Sequence, residues 1–204
     1  MKPFTKLLLI FIVVAFAIYN MKSPTYEAII FIACLAFAFF KTTHLPKMSV
    51  FILYILIFTL MELIAASLLD NFVYGQYTGF TENIWYLSTS ILFDICLCLY
   101  CRNSAIYFSR EEPKLFDMAN SLFYVFMLYL FVDLYALGEN FIRNLDRLGF
   151  PEEQVKHLWD ITHMYYNIGV YKSILIGLAG ICLFASVYAH RSEGAPSVEK
   201  NEAN

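Results

Sequence analysis

Six times along this chain the charged residues give way to a long apolar run, at roughly 4–20, 25–40, 48–70, 84–101, 115–137 and 166–189. That repetition constrains the fold more than any other feature. About 20 apolar residues in a helix cross the ~30 Å hydrocarbon core of a bilayer, and inside lipid a backbone must satisfy its own hydrogen bonds. The expectation is an all-α, polytopic transmembrane helical bundle of about six spans. Composition agrees: 60% of the 204 residues are hydrophobic and 15% charged, against ~25% charged in soluble domains. The net charge is −3 with no basic cluster, which argues against a direct nucleic-acid partner.

The first two runs are joined by "NMKSP" and the next two by "KTTHLPK". Connections this short predict antiparallel neighbours. Residues 1–190 read as a single transmembrane domain, and the polar tail 191–204 as a disordered extension. The start has two readings. Lys2 and Lys6 precede an apolar run that ends Ala15-Phe16-Ala17, which is also how a secretory signal peptide over residues 1–17 would end. The next apolar run follows almost at once, so a first membrane helix is the expectation.

Orientation follows from Lys and Arg in the short loops. With the N-terminus cytoplasmic, the inner side holds Lys2, Lys6, Lys41, Lys47, Arg102, Arg110, Lys114, Arg191 and Lys200. The outer side then holds only Lys22, Arg143, Arg147 and Lys156. Both termini are expected to be cytoplasmic, at the inner membrane if the source is bacterial. Residues 138–165 are the one sizeable extramembrane piece. Gly149 and Pro151 punctuate it, with Phe141, Leu145 and Leu148 before the break and Val155, Leu158 and Thr162 after it at helical spacing. The pattern predicts that the last two helices run on past the bilayer as a projecting hairpin.

Four ionisable residues sit inside apolar runs: Glu62, Asp94, Asp133 and Lys172. Each costs roughly 2.5–3.5 kcal/mol near a bilayer centre, so each is a candidate ion or proton site. At 1.5 Å per residue, Glu62 lies ~4 Å outward of the midplane, Asp94 ~2 Å inward, and Asp133 and Lys172 ~10 Å outward. The lysine stem can reach Asp133 or Glu62. Three acids and one base do not balance, and carboxylates left over in hydrocarbon are expected to take protons. Ser90, Asp94, Cys98 and Cys101 share one helical face, which must turn toward other helices or water. The ordinary alternative is interhelical hydrogen-bond glue, worth ~0.6 kcal/mol per contact.

Lys172 lies beside a ridge of small residues. Gly169, Ser173 and Gly177 recur every fourth position and Ala185 continues the row, with Gly180 nearby. Such ridges let helices approach closely, and they predict a homo-oligomer interface. His157, Asp160 and His163 form H-x-x-D-x-x-H, a weak metal-ligand pattern because the two histidines diverge around a helix. The cysteines Cys34, Cys96, Cys98, Cys101 and Cys182 all lie in apolar runs and read as packing residues. No phosphate loop, nucleophile elbow or dinucleotide fingerprint occurs, so no cofactor is implied.

The leading expectation is non-enzymatic: a membrane scaffold, sensor or channel-like subunit acting through homo-oligomerisation and a cytosolic partner protein. Envelope stress or antiviral (phage) defence is a setting that would suit it. The alternative is a proton- or cation-coupled transporter using Asp94, Glu62 and Lys172. A third is a membrane metalloenzyme using His157, Asp160 and His163.

Overall fold

The computed structural model describes residues 24–73, 75–161 and 164–193. The run at 4–20, its signal-like end and residues 194–204 of the tail lie outside them. Six α-helices follow one another with no strand among the described residues: α1 (Pro24–Lys41), α2 (Pro46–Phe72), α3 (Gly79–Phe108), α4 (Pro113–Arg143), α5 (Glu152–Val155) and α6 (Met164–Glu193).

Helix boundaries follow local chemistry. α2 and α4 each begin with a proline in the first turn, where its fixed φ fits and its missing N–H is not needed. At the end of α1, Thr42 is buried and its hydroxyl donates to the Ala38 carbonyl at 2.8 Å, capping an otherwise orphaned acceptor. Between α2 and α3 the chain reverses at Gly75, whose φ of 76° suits a residue without a Cβ. The Gly75 amide donates to Glu82 Oε1 at 2.8 Å, tying the loop to the first turn of α3.

Four helices are long and apolar enough to cross a membrane: α2, α3, α4 and, within α6, Asn167–Ala189. They contain the runs expected at 48–70, 84–101, 115–137 and 166–189. The apolar part of α1 is shorter, Ala28–Lys41, or about 21 Å at 1.5 Å per residue. Four spans, not six, are therefore carried by the described helices. Much of their surface is apolar and exposed, for example Leu92 (59%), Phe131 (60%) and Ile174 (53%). Apolar exposure spread over this much surface suits lipid as the surrounding solvent.

Each main helix packs chiefly on two others. α1 packs on α2, α2 on α3, α3 on α4, α4 on α6 and α6 on α1, closing a ring of five. The two halves of that ring differ. The end bearing residues 42–45 and 109–112 is the more solid, its centre filled by Leu35, Phe51, Ile52, Cys101, Leu122 and Leu183 among others, with a smaller pocket of about 270 Å³ between α1 and α6 beside Thr42 and Leu45. Phe51 stacks on Tyr100 with centroids 5.4 Å apart and meets Phe108 edge-on. The other half is hollow. A cavity of about 470 Å³ runs from the level of Leu97 and Ala179, past Glu62 and Asp94, toward Leu69, Asn83, Tyr86 and Ile168.

Beyond residue 137, α4 continues only to Arg143. The chain then forms a 3-10 turn (Asp146–Leu148), the four-residue α5 and a second 3-10 stretch (Lys156–Ile161), rather than the two continuing helices that the apolar spacing predicted. Gly149 takes a left-handed φ of 97° and its amide donates back to the Asp146 carbonyl. With Pro151 following, that reversal ends helical propagation.

Candidate functional site

The four intramembrane ionisable residues come from four helices and meet beside the cavity, which Glu62, Asp94 and Lys172 line. Lys172 of α6 is the hub. Its ammonium donates to Asp133 Oδ2 of α4 at 2.8 Å, lies 2.7 Å from Oδ1, and donates to Ser90 Oγ of α3 at 3.1 Å. Ser90 passes the contact on, its hydroxyl donating to Glu62 Oε1 of α2 at 3.0 Å. The Tyr129 ring lies beneath the ammonium, 5.2 Å from centroid to nitrogen, adding a cation–π contact. Of the two partners the lysine stem could reach, it takes Asp133 directly and Glu62 through a serine.

Asp94 stands apart. It is 2% exposed and lies one turn below Ser90 on α3, with the Asp133 carboxyl as an electrostatic neighbour. Its Oδ2 has no hydrogen-bond partner, while the residue also lines the cavity. Two neighbouring carboxyls repel each other when both are ionised. The stripe Ser90, Asp94, Cys98 and Cys101 faces inward, with Cys98 and Cys101 buried against the solid half.

The cavity wall is otherwise apolar, built from Phe31 of α1, Leu63 and Ala66 of α2, Leu87 of α3, Phe126 of α4 and Ile176 of α6. At its far end α3 and α4 are joined by polar contacts. Asn140 is buried, donates to the Phe80 carbonyl at 3.4 Å and accepts from Asn83 at 3.4 Å, and its own carbonyl accepts from Asn144 at 2.7 Å. Glu139 is buried beside it. Sequence reasoning placed 139 and 140 outside the membrane and missed both. The available signal was the spacing Asp133, Ala136, Asn140, which continues the inner face of α4.

The small-residue ridge is used mostly within one chain. Ser173 and Gly177 are buried, and Gly169 lines the cavity. Only Ala185 of the four is exposed. The expected interface between copies therefore corresponds, at Ser173 and Gly177, to packing inside the bundle. Ser173 also turns its hydroxyl back to the Gly169 carbonyl at 2.7 Å, the usual way for a hydroxyl to be satisfied within a membrane helix.

The histidine pattern does not assemble among the described residues. His157 is exposed on the 3-10 stretch beside Asp160, and His163 lies outside the described residues. No three His, Cys, Asp or Glu residues among those described are grouped to hold a metal. At the solid end, Lys47 pairs with Glu111 at 2.6 Å and with Glu112 at 3.2 Å. The hydrogen bond from Lys47, and then its charge, hold the Glu111 carboxyl below the usual range. No protein-family model matches the chain, nor does any curated protein or solved structure.

Proposed function

We propose that this chain is a multi-pass membrane carrier that binds a proton or a cation at the Glu62–Ser90–Asp94–Asp133–Lys172 cluster and couples it to a small molecule entering the cavity. One observation carries the reading. Three carboxyls from three helices gather around one ammonium, and Asp94, which lines the cavity, keeps a buried oxygen without a hydrogen-bond partner. One lysine neutralises one carboxylate. The remaining acids must hold a proton or a cation, because isolated carboxylates in a low-dielectric interior cost several kcal/mol each. Groups that load and unload a proton beside an internal cavity are what coupled transport requires. By the loop charges the cavity faces away from the cytoplasm.

The cluster favours this reading over a scaffold, sensor or channel-like subunit acting through homo-oligomerisation, since Ser173 and Gly177 are engaged within the chain. Pure interhelical glue would leave the carboxyls matched by donors, and Asp94 Oδ2 is not. The test is a pH jump applied to proteoliposomes on a solid-supported membrane. A protein-dependent charge displacement is expected, lost in Asp94→Asn while the helical circular dichroism is unchanged. Currents identical in wild type and Asp94→Asn would refute the assignment.

A further inference from the structure

We propose that the cavity takes an amine-bearing apolar molecule, whose ammonium docks against the Glu62 and Asp94 carboxyls that line it and displaces a proton held there. The inference rests on the proton- or cation-binding reading above and names the class of molecule that shares the site.

Three features of the cavity select the ligand. Its volume of about 470 Å³ lies within the ~300–1,000 Å³ range of small-molecule sites. Its walls are Phe31, Leu63, Ala66, Phe126, Tyr129 and Ile176, so the body of the ligand must be apolar, and the aromatic faces suit a flat one. Its floor is acidic, with Glu62 and Asp94 both lining it. Asp94 Oδ2 is a buried acceptor with no donor, and the group that satisfies a partnerless carboxylate oxygen best is a charged N–H donor.

Lys172 shows that the pocket already handles this chemistry. Its ammonium sits against a carboxylate, a hydroxyl and an aromatic face. A ligand amine one helical turn away would meet Asp94 in equivalent surroundings. An anion is disfavoured, because Glu62, Asp94 and Asp133 would oppose it with only Lys172 in return. A neutral molecule would leave Asp94 Oδ2 as it is.

The exchange balances. A ligand ammonium plus a protonated Asp94 carboxyl gives an ammonium–carboxylate pair plus one released proton. The groups that face Asp94 are Asp133 on α4, Lys172 on α6 and Glu62 on α2, with Cys98 on its own helix. All but Lys172 resist a second negative charge, so release requires the incoming cation. Below the amine's own titration, apparent affinity should therefore tighten by up to about tenfold per pH unit.

The experiment uses the full chain in lipid-free detergent and three fluorescent probes: 2-(1-naphthyl)ethylamine, 2-(1-naphthyl)ethanol and 1-naphthaleneacetate. The amine should bind roughly tenfold or more tighter than the alcohol, and the acetate should not bind. Proton release should accompany amine binding in weak buffer. Asp94→Asn should remove the preference for the amine, and Ala66→Phe should weaken amine and alcohol alike by filling the cavity. Because Ala66→Phe leaves the carboxyls untouched, loss through misfolding at Asp94 is separable.

Equal binding of amine and alcohol overturns the inference. Absence of binding alongside an intact pH-jump current overturns it while leaving the proton reading standing. Selective amine binding without proton release overturns the exchange, and selective amine binding with proton release but no pH-jump current sustains the inference while refuting the coupled-transport reading. Competition by phosphatidylethanolamine but not phosphatidylglycerol would assign the ammonium to a lipid headgroup. Indifference to both would assign it to a free molecule.

Discussion

Replacing Lys172 with Met removes the ammonium and keeps the length of the side chain, so it isolates the charge. In the wild type that ammonium touches Asp133 at 2.7 and 2.8 Å and Ser90 at 3.1 Å, and Asp133 is 0% exposed. After the substitution the Asp133 carboxylate has no cation within reach and must either stay charged in a dry interior or take a proton. Taking one at pH 7, about three units above the ordinary Asp titration, costs ~4 kcal/mol at ~1.4 kcal/mol per unit. That is an upper bound and agrees with the ~3–5 kcal/mol typical of breaking a buried pair from one side. At pH 5 the same cost falls to about 1.5 kcal/mol. Adding Asp133→Asn removes the stranded charge, so the double variant should recover to within about 1 kcal/mol of wild type. Reversible unfolding in mixed micelles, followed by circular dichroism at both pH values, gives all three numbers. A single variant within ~0.5 kcal/mol of wild type at pH 7 would refute the ion-pair reasoning. So would a penalty that does not shrink at pH 5, or a double variant as damaged as the single one.

Other consequences are simpler to read. Gly149→Ala should destabilise by ~1 kcal/mol through its left-handed φ alone, since a Cβ there would meet no atom within 4 Å; the thermal midpoint of the variant in detergent checks it, and an unchanged midpoint contradicts it. Gly177→Leu should lower the stability of the single chain by several kcal/mol and do so equally at every dilution, because Gly177 is buried inside the bundle; a loss that appears only on dilution would restore the intersubunit reading. For Glu111, whose carboxyl is held low by Lys47, the pairing stabilises at neutral pH and is lost as pH falls through the lowered value. Wild type and Glu111→Gln should therefore differ slightly at pH 7 and converge in acid and in high salt, as thermal midpoints would record.

What was legible in the sequence was whatever one helix decides by itself. The apolar runs located α2, α3, α4 and α6. The four misplaced charges were visible as exceptions to lipid solubility, and their convergence followed from the small number of ways such charges can be satisfied. Which acid pairs with Lys172 depends on helix rotation, and one-dimensional depth arithmetic could not separate Asp133 from Glu62. Ser90 as the bridge and Tyr129 as the aromatic floor needed the relative azimuth of α3, α4 and α6. The ridge Gly169, Ser173, Gly177 was read as an interface between copies; Ser173 and Gly177 are buried within the chain, and a ridge carries no record of whether its partner lies in the same chain. Segment 144–161 departed from expectation because Gly149 and Pro151 outweigh the weak apolar spacing around them. The hollow half of the ring is a property of five helices together, and no single run announces it.

The central claim is that the acids around Lys172 hold at least one titrating proton at Asp94. Infrared difference spectra of the protein in lipid, recorded between acid and neutral pH, read protonated carboxyls directly through their C=O stretch. The account predicts a carboxyl band that titrates in wild type and is missing, at matched helical content, in Asp94→Asn. A spectrum with no titrating protonated-carboxyl band in wild type, or one left unchanged by Asp94→Asn, would contradict it.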